Sequence, residues 1–265
     1  MSATPCSPTP ENSVHTLARD SGAAIAYRHR AALSSGHGAN VLFCGGFHSE
    51  MAGNKASALD AFSAARGVGY TRFDYQGHGR SSGQFEEGGI GLWFEDALAI
   101  LDRVATGPQL VVGSSMGAWI ALLLARARPE RVKALVLIAP ATDFTTRLMW
   151  PSLPEEARRA IEDLGIWHRP SEFEDDAYPL TRHLFEEARG HHLLDGPPIP
   201  FDGPVHILHG DRDEVVPVAH AQLTADALRS RRVVTSIIKD GDHRLSTPAN
   251  LDLLFAAITS LMRQI

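Results

Sequence analysis

From Val41 onward the chain alternates two kinds of segment: short runs that are apolar nearly throughout, and longer stretches in which apolar residues return every three to four positions. The runs are Val41-Leu42-Phe43-Cys44, 70–75, Leu110-Val111-Val112, 134–139, 205–208 and 233–238. Rich in branched residues and nearly all apolar at its centre, each reads as a strand covered by helices on both sides. Between them Trp93, Ala97, Ile100 and Val104 recur at helical spacing, as do Leu254, Ile258 and Leu261, and both sets read as stripes facing a core. Strand and helix in turn predict an α/β fold with a mostly parallel central sheet and helices on both faces.

Three segments depart from the alternation. Residues 14–19 and 23–29 flank Ser21-Gly22 and predict an antiparallel hairpin at a sheet edge. Residues 145–200 follow the run at 134–139 without a matching strand, carry Leu148, Met149, Trp150, Ile166, Trp167 and several prolines, and are too long for an ordinary connection. They predict a helical cap inserted into a single catalytic domain spanning 14–265. Residues 1–13 (MSATPCSPTPENS) read as a disordered leader, and with no apolar core and no Arg they match neither a signal peptide nor a mitochondrial transit peptide.

Composition narrows the function. Hydrophobic residues make up 44% of the 265, ample for a packed core, while the formal net charge of -6 leaves no basic field for nucleic acid or an anionic membrane. No apolar run approaches the ~20 residues that span a bilayer, so no stable membrane insertion is expected. Arg far outnumbers Lys, which occurs only at 55, 133 and 239, the usage of a GC-rich, bacterial coding sequence. Cys6 and Cys44 make no disulfide framework, and a reducing cytoplasm fits. No P-loop or dinucleotide fingerprint occurs, and His191, His192, His206 and His209 lack the spacing of a zinc site, so no cofactor and no metal are expected. Nothing in the pattern sets an oligomeric state.

The strongest local signal is Gly113-Ser114-Ser115-Met116-Gly117, between the apolar run 110–112 and the helical stretch 118–127. A Gly-x-Ser-x-Gly turn from strand to helix forces its middle serine into strained backbone angles and lifts the hydroxyl clear of the sheet. Ser115 is therefore the candidate nucleophile; Ser114, second in the turn, should point into the fold. A plain helix N-cap is the competing role for Ser115.

A serine hydroxyl attacks well only when a base takes its proton, and the base needs an acid to hold its tautomer. On this scaffold the expected order is Ser, acid, His. After the run 205–208 comes His209-Gly210-Asp211-Arg212-Asp213-Glu214-Val215-Val216-Pro217, and after 233–238 comes Gly241-Asp242-His243. Both follow strand ends, where catalytic side chains gather in open α/β sheets. His243 is the candidate base, and Asp213 the candidate acid with Asp211 and Glu214 as competitors. The backbone N–H of Met116 and one from the loop Gly45-Gly46-Phe47-His48, taken as Phe47, are candidate oxyanion donors. Leu148, Met149, Trp150 and Trp167 are candidates for an apolar substrate pocket. His78, in a Gly-rich turn ahead of Ser115, reads as shaping its loop.

Together Gly45-Gly46-Phe47, 73–79, 113–117, 209–213 with Val216-Pro217, and Asp242-His243-Arg244 resemble the α/β-hydrolase superfamily across nearly the whole chain. More narrowly, 51–56, Gly165-Ile166-Trp167 and 191–194 resemble its mammalian mitochondrial branch of palmitoyl-protein thioesterases and acyl-glucuronide esterases. The resemblance implies Ser115, Asp213 and His243 as a triad, favours Asp213 over Asp211, and implies an acyl-enzyme intermediate from a small ester or thioester. A lipase-like or carbon–carbon bond hydrolase with the same triad, and a non-catalytic binding protein on the same scaffold, are the alternatives.

Overall fold

The computed structural model describes residues 13–33, 38–169 and 177–265. The leader expected over 1–13, with Cys6, lies outside these residues apart from Ser13. In chain order the elements are β1 His15–Ala18, β2 Ala24–Arg30, β3 Asn40–Cys44, α1 Asn54–Arg66, β4 Tyr70–Phe73, α2 Ile90–Arg103, β5 Gln109–Ser114, α3 Met116–Ala127 and β6 Val132–Ile138. Then follow α4 Trp150–Ser152, α5 Glu155–Leu164, β7 Ile166–Arg169, β8 Tyr178–Thr181, α6 Arg182–Ala188, β9 Val205–Gly210, α7 Val218–Ala227, β10 Val233–Ile238 and α8 Pro248–Met262.

Eight strands form one sheet in the order β1-β2-β4-β3-β5-β6-β9-β10. β1 and β2 pair antiparallel through the expected hairpin, β2 meets β4 antiparallel, and every other pair is parallel. Alternation of side chains along each strand divides the core into two layers. Val41, Leu110, Val112, Val136 and Ile138 face one layer with α1 and α8, while Leu42, Val111, Leu135 and Leu137 face the other with α2 and α3. The stripe Trp93, Ala97, Ile100 is buried on α2, and Leu254, Ile258, Leu261 on α8. Between β3 and β5 the strand order turns around, which opens the crevice where α/β sheets hold ligands.

Two expectations change. β10 does not have both faces covered: it is an edge strand, with Val234 55% and Ile237 48% exposed. Its apolar composition matches the inner strands, but its place in the sheet order decides its burial. The segment 145–200 is not purely helical either. Besides α4, α5 and α6 it contains a two-stranded antiparallel sheet, β7 with β8, in which Trp167 stands opposite Leu180. Strands of four residues are too short to show a period.

The root of that segment is pinned by buried Asp143, whose carboxylate accepts from the backbone N–H groups of Leu193 (3.0 Å) and Leu194 (2.8 Å). Trp119 of α3 donates its indole N–H to the carbonyl of His191 at 3.0 Å. The segment therefore rests on the helix that follows Ser115.

Candidate active site

From 110 through 125 every residue is buried except Ser115. That exception comes from the backbone. Ser115 lies at φ 54, ψ -118, outside the regions ordinary residues favour, a strain on the order of 1–3 kcal/mol that persists where the surroundings over-determine it. Its N–H donates to Ile138 O at 2.8 Å and its carbonyl accepts from Ala141 N at 3.2 Å, so the end of β6 holds the turn on both sides. Glycine is required at both flanks: a Cβ on Gly113 would overlap the backbone of Gly117 and Ala118, and one on Gly117 the carbonyl oxygens of Cys44 and Gly45. As an N-cap Ser115 fails, since its side chain makes no bond to the helix. Ser114 is buried.

The Ser115 hydroxyl instead meets His243. Its Oγ lies 3.1 Å from His243 Nε2, and His243 Nδ1 lies 2.8 Å from Asp213 Oδ2. The three stand on the turn after β5, the loop after β9 and the loop after β10, at one end of the sheet. Asp213 is locked from behind. Its Oδ1 accepts from Val215 N (2.9 Å) and Val216 N (2.8 Å), and its side chain is fully buried. Burial works against its charge, but the hydrogen bond and charge of His243, with the Val216 and Val215 amides, outweigh it and hold the carboxyl below the usual range. Asp211 turns away to Lys239 (3.0 Å) and Asp240 N, and Glu214 is exposed.

Beside Ser115 and His243 lies a cavity of about 500 Å³, walled by Phe47, His48, Asn54, Lys55, Tyr178 and Arg244 among others. Gly46 passes over the serine: a Cβ there would sit 3.5 Å from Ser115 Cβ. Phe47 is wedged edge-on against Phe85, Trp93, Phe144 and Tyr178. Met116 opens α3, where the first N–H groups have no intrahelical partner. His78 steadies this loop by accepting from His48 N at 3.2 Å while its Nδ1 meets Gln76 O. Asp74 accepts from Met51 N and Arg80 N and joins the same two loops.

The four residues expected to line a pocket are placed elsewhere. Leu148, Met149, Trp150 and Trp167 pack against the core, Trp150 edge-on to Phe185, and none is among the cavity's lining residues. They sit in the expected segment, but their apolar faces are spent on its own packing. Pattern reading missed His209, Lys55 and Tyr178. His209 Nε2 lies 2.8 Å from Val216 O and 3.4 Å from Asp213 Oδ2, a role its place at a strand end could have signalled. Lys55 lies in the segment 51–56 that carries the family resemblance, but nothing there pointed to a role for it, and Tyr178, in a four-residue strand, gave no signal. A cleft of about 610 Å³ walled by Pro108, Arg126, Lys133, Phe201 and Arg232 is larger, but among the described residues no serine, cysteine or histidine lines it.

The family model described as serine aminopeptidase, S33 matches residues 36–182. The chain belongs to the α/β-hydrolase superfamily. Palmitoyl-protein thioesterase ABHD10, mitochondrial, of Rattus norvegicus is 40% identical over 227 residues, 86% of this chain and 76% of that protein. A putative hydrolase from Agrobacterium vitis S4 superposes with a TM-score of 0.89 at 37% identity, covering 94% of this chain and 98% of that one. Alpha/beta hydrolase domain-containing protein 10 from mouse superposes with a TM-score of 0.85 at 38% identity, covering 95% and 99%. As in its superfamily, the chain is a hydrolase built on a mostly parallel sheet. Among the described residues no helix is long and apolar enough to cross a membrane.

Proposed function

We propose that the chain is a serine hydrolase of small carboxylic esters or thioesters, with Ser115 as nucleophile, His243 as base and acid, and Asp213 holding the base. The observation that carries this reading is the unbroken chain of contacts from Ser115 Oγ through His243 to Asp213 Oδ2, at 3.1 and 2.8 Å. His243 Nε2 takes the hydroxyl proton as Oγ attacks the acyl carbon, and the same imidazole protonates the departing alcohol or thiol. Water then enters, loses a proton to His243, and releases the acid from the acyl-enzyme. The N–H groups of Met116 and Phe47 hold the oxyanion, a reading supported by Met116's place at the start of α3 and by Gly46 lying against Ser115.

Residues 145–200 serve as a cap over this end of the sheet, a role supported by the Asp143 and Trp119 bonds at their root and by Tyr178 in the cavity wall. Thioesters enter the proposal from the palmitoyl-protein thioesterase relatives. A cytoplasmic site of action is compatible with the free, buried thiol of Cys44, which burial pushes up to about 12. Turnover of activated esters, acyl thioesters and acyl glucuronides by the native chain, lost in Ser115→Ala, tests the proposal; stoichiometric binding without product release would overturn it.

A further inference from the structure

The segment 51–56 takes no part in the chemistry above, yet its end reaches the loop that carries the base. Lys55, in the first turn of α1, extends its Nζ to the backbone carbonyl of Arg244, the residue after His243, and lies 3.4 Å from Ser246 Oγ. Asn54 Nδ2 donates to the carbonyl of Ser246 at 3.2 Å. Both contacts join positions about 190 residues apart.

The loop that receives them is also anchored by Leu245, buried in the core, and by the bonds of His243 to Ser115 and Asp213. His243 follows an edge strand, and 242–246 belong to no strand or helix, with Leu245 at φ 44. Inside the loop, Asp242 Oδ1 accepts from Leu245 N and Ser246 Oγ donates to Arg244 O. On the far flank Arg212 N donates to Gly241 O. From outside the loop, Asn54 and Lys55 reach the backbone carbonyls of Ser246 and Arg244. An ammonium donating to a carbonyl makes a charge-assisted bond, stronger than a neutral one.

We propose that Asn54 and Lys55 clamp the loop after β10 and so position His243 against Ser115, with Lys55 the principal positioning residue. This rests on the reading that Ser115 and His243 perform the chemistry. Because α1 begins directly after the loop carrying Phe47, the clamp also sets base and oxyanion donor in one frame. Burial takes Lys55 down to about 8; Asp242 favours its charge and Arg244 opposes it, with His48, Glu50, His243 and Tyr178 the other titratable groups on the cavity wall. Above that pH the clamp loses its charge and weakens.

The test is steady-state hydrolysis of one p-nitrophenyl ester across neutral and alkaline pH by the native chain, Ser115→Ala, Lys55→Met and Lys55→Arg. Misplacing a base by a fraction of an ångström acts on kcat, so Lys55→Met should lose about ten- to a hundred-fold in kcat, a larger change than in KM, which the place of Lys55 in the cavity wall also touches. Native kcat should fall with an alkaline limb near pH 8. Lys55→Arg, charged throughout, should recover most of kcat and lack that limb. A Lys55→Met kcat close to native, or an alkaline limb that persists in Lys55→Arg, overturns the clamp; should Lys55→Met fail to fold, the Lys55→Arg profile decides alone. Turnover surviving in Ser115→Ala would instead overturn the reading of the site, and the clamp with it.

Discussion

Asp213 engages both carboxylate oxygens, one with the backbone N–H groups of Val215 and Val216 and one with His243. The amide donors fix the carboxylate plane, so the oxygen facing His243 cannot turn away without breaking two bonds. Asp213→Asn should keep the fold but offer the imidazole a partner that permits the wrong tautomer. Its kcat should fall on the order of 10³- to 10⁴-fold, with KM little changed. Asp211→Asn, two residues earlier, should leave kcat within roughly two-fold, because Asp211 bonds only to the exposed Lys239 side and Asp240. Steady-state kinetics on both variants checks the assignment, and equal losses would contradict it. At this scale Ser115 and His243 were legible from motif and chain order. Among Asp211, Asp213 and Glu214 the local pattern did not decide, since three carboxylates lie within four residues; the family resemblance favoured Asp213 over Asp211, and the tertiary contacts separate the three.

The elements place these side chains through two kinds of constraint, close backbone approach and strand position. At Gly117 the backbone of α3 runs against Cys44 and Gly45, so Gly117→Ala forces two elements apart. The expected cost is about 1–3 kcal/mol in urea unfolding, with activity lost as Ser115 shifts. Strand position governs the rest. Val112→Ala on inner β5 should cost about 2 kcal/mol, whereas Val234→Ala on β10 should stay within roughly 0.5 kcal/mol, because Val234 is 55% exposed. The two strands look alike in sequence, and only the sheet order tells them apart. The alternation that predicted the parallel sheet is strong because β3, β5, β6 and β9 are buried on both faces. β7 and β8 escaped it for the opposite reason, each being four residues long, with no buried position in β7 and only two in β8.

Across the whole molecule, the turn after β4 links the sheet to α2 through Gln76. Its carbonyl meets His78 Nδ1 and the Trp93 indole N–H, and its N–H and side-chain amide donate to Asp96 at 2.8 and 2.7 Å. Burial pulls His78 down to about 4 and pushes Asp96 up to about 6, the latter against the Gln76 donors and Arg19. As pH falls below 6.5 the unfolded chain protonates its histidine first, so the His78 contribution to stability is lost progressively down to about 4. For Asp96 the folded state takes the proton first, so acidification from about 6 to 3.8 stabilises. The two effects oppose, each about 3 kcal/mol over its window, and largely offset. Asp96→Asn should therefore steepen the acid loss of stability, by about 2 kcal/mol between neutrality and pH 4.5. Urea titrations that run parallel for native and variant would contradict this. Protonating His78 in the folded chain, near pH 4, also costs the His48 N–H its acceptor, so the Phe47 loop should loosen there.

All of this serves one hydroxyl raised from a buried turn beside one imidazole, and the most direct measurement is where a covalent probe lands. After reaction with a fluorophosphonate, peptide mass mapping should find a single adduct on Ser115, with Ser114 unmodified and no adduct formed in Ser115→Ala. An adduct on any other serine, or undiminished labelling of that variant, would contradict the central claim.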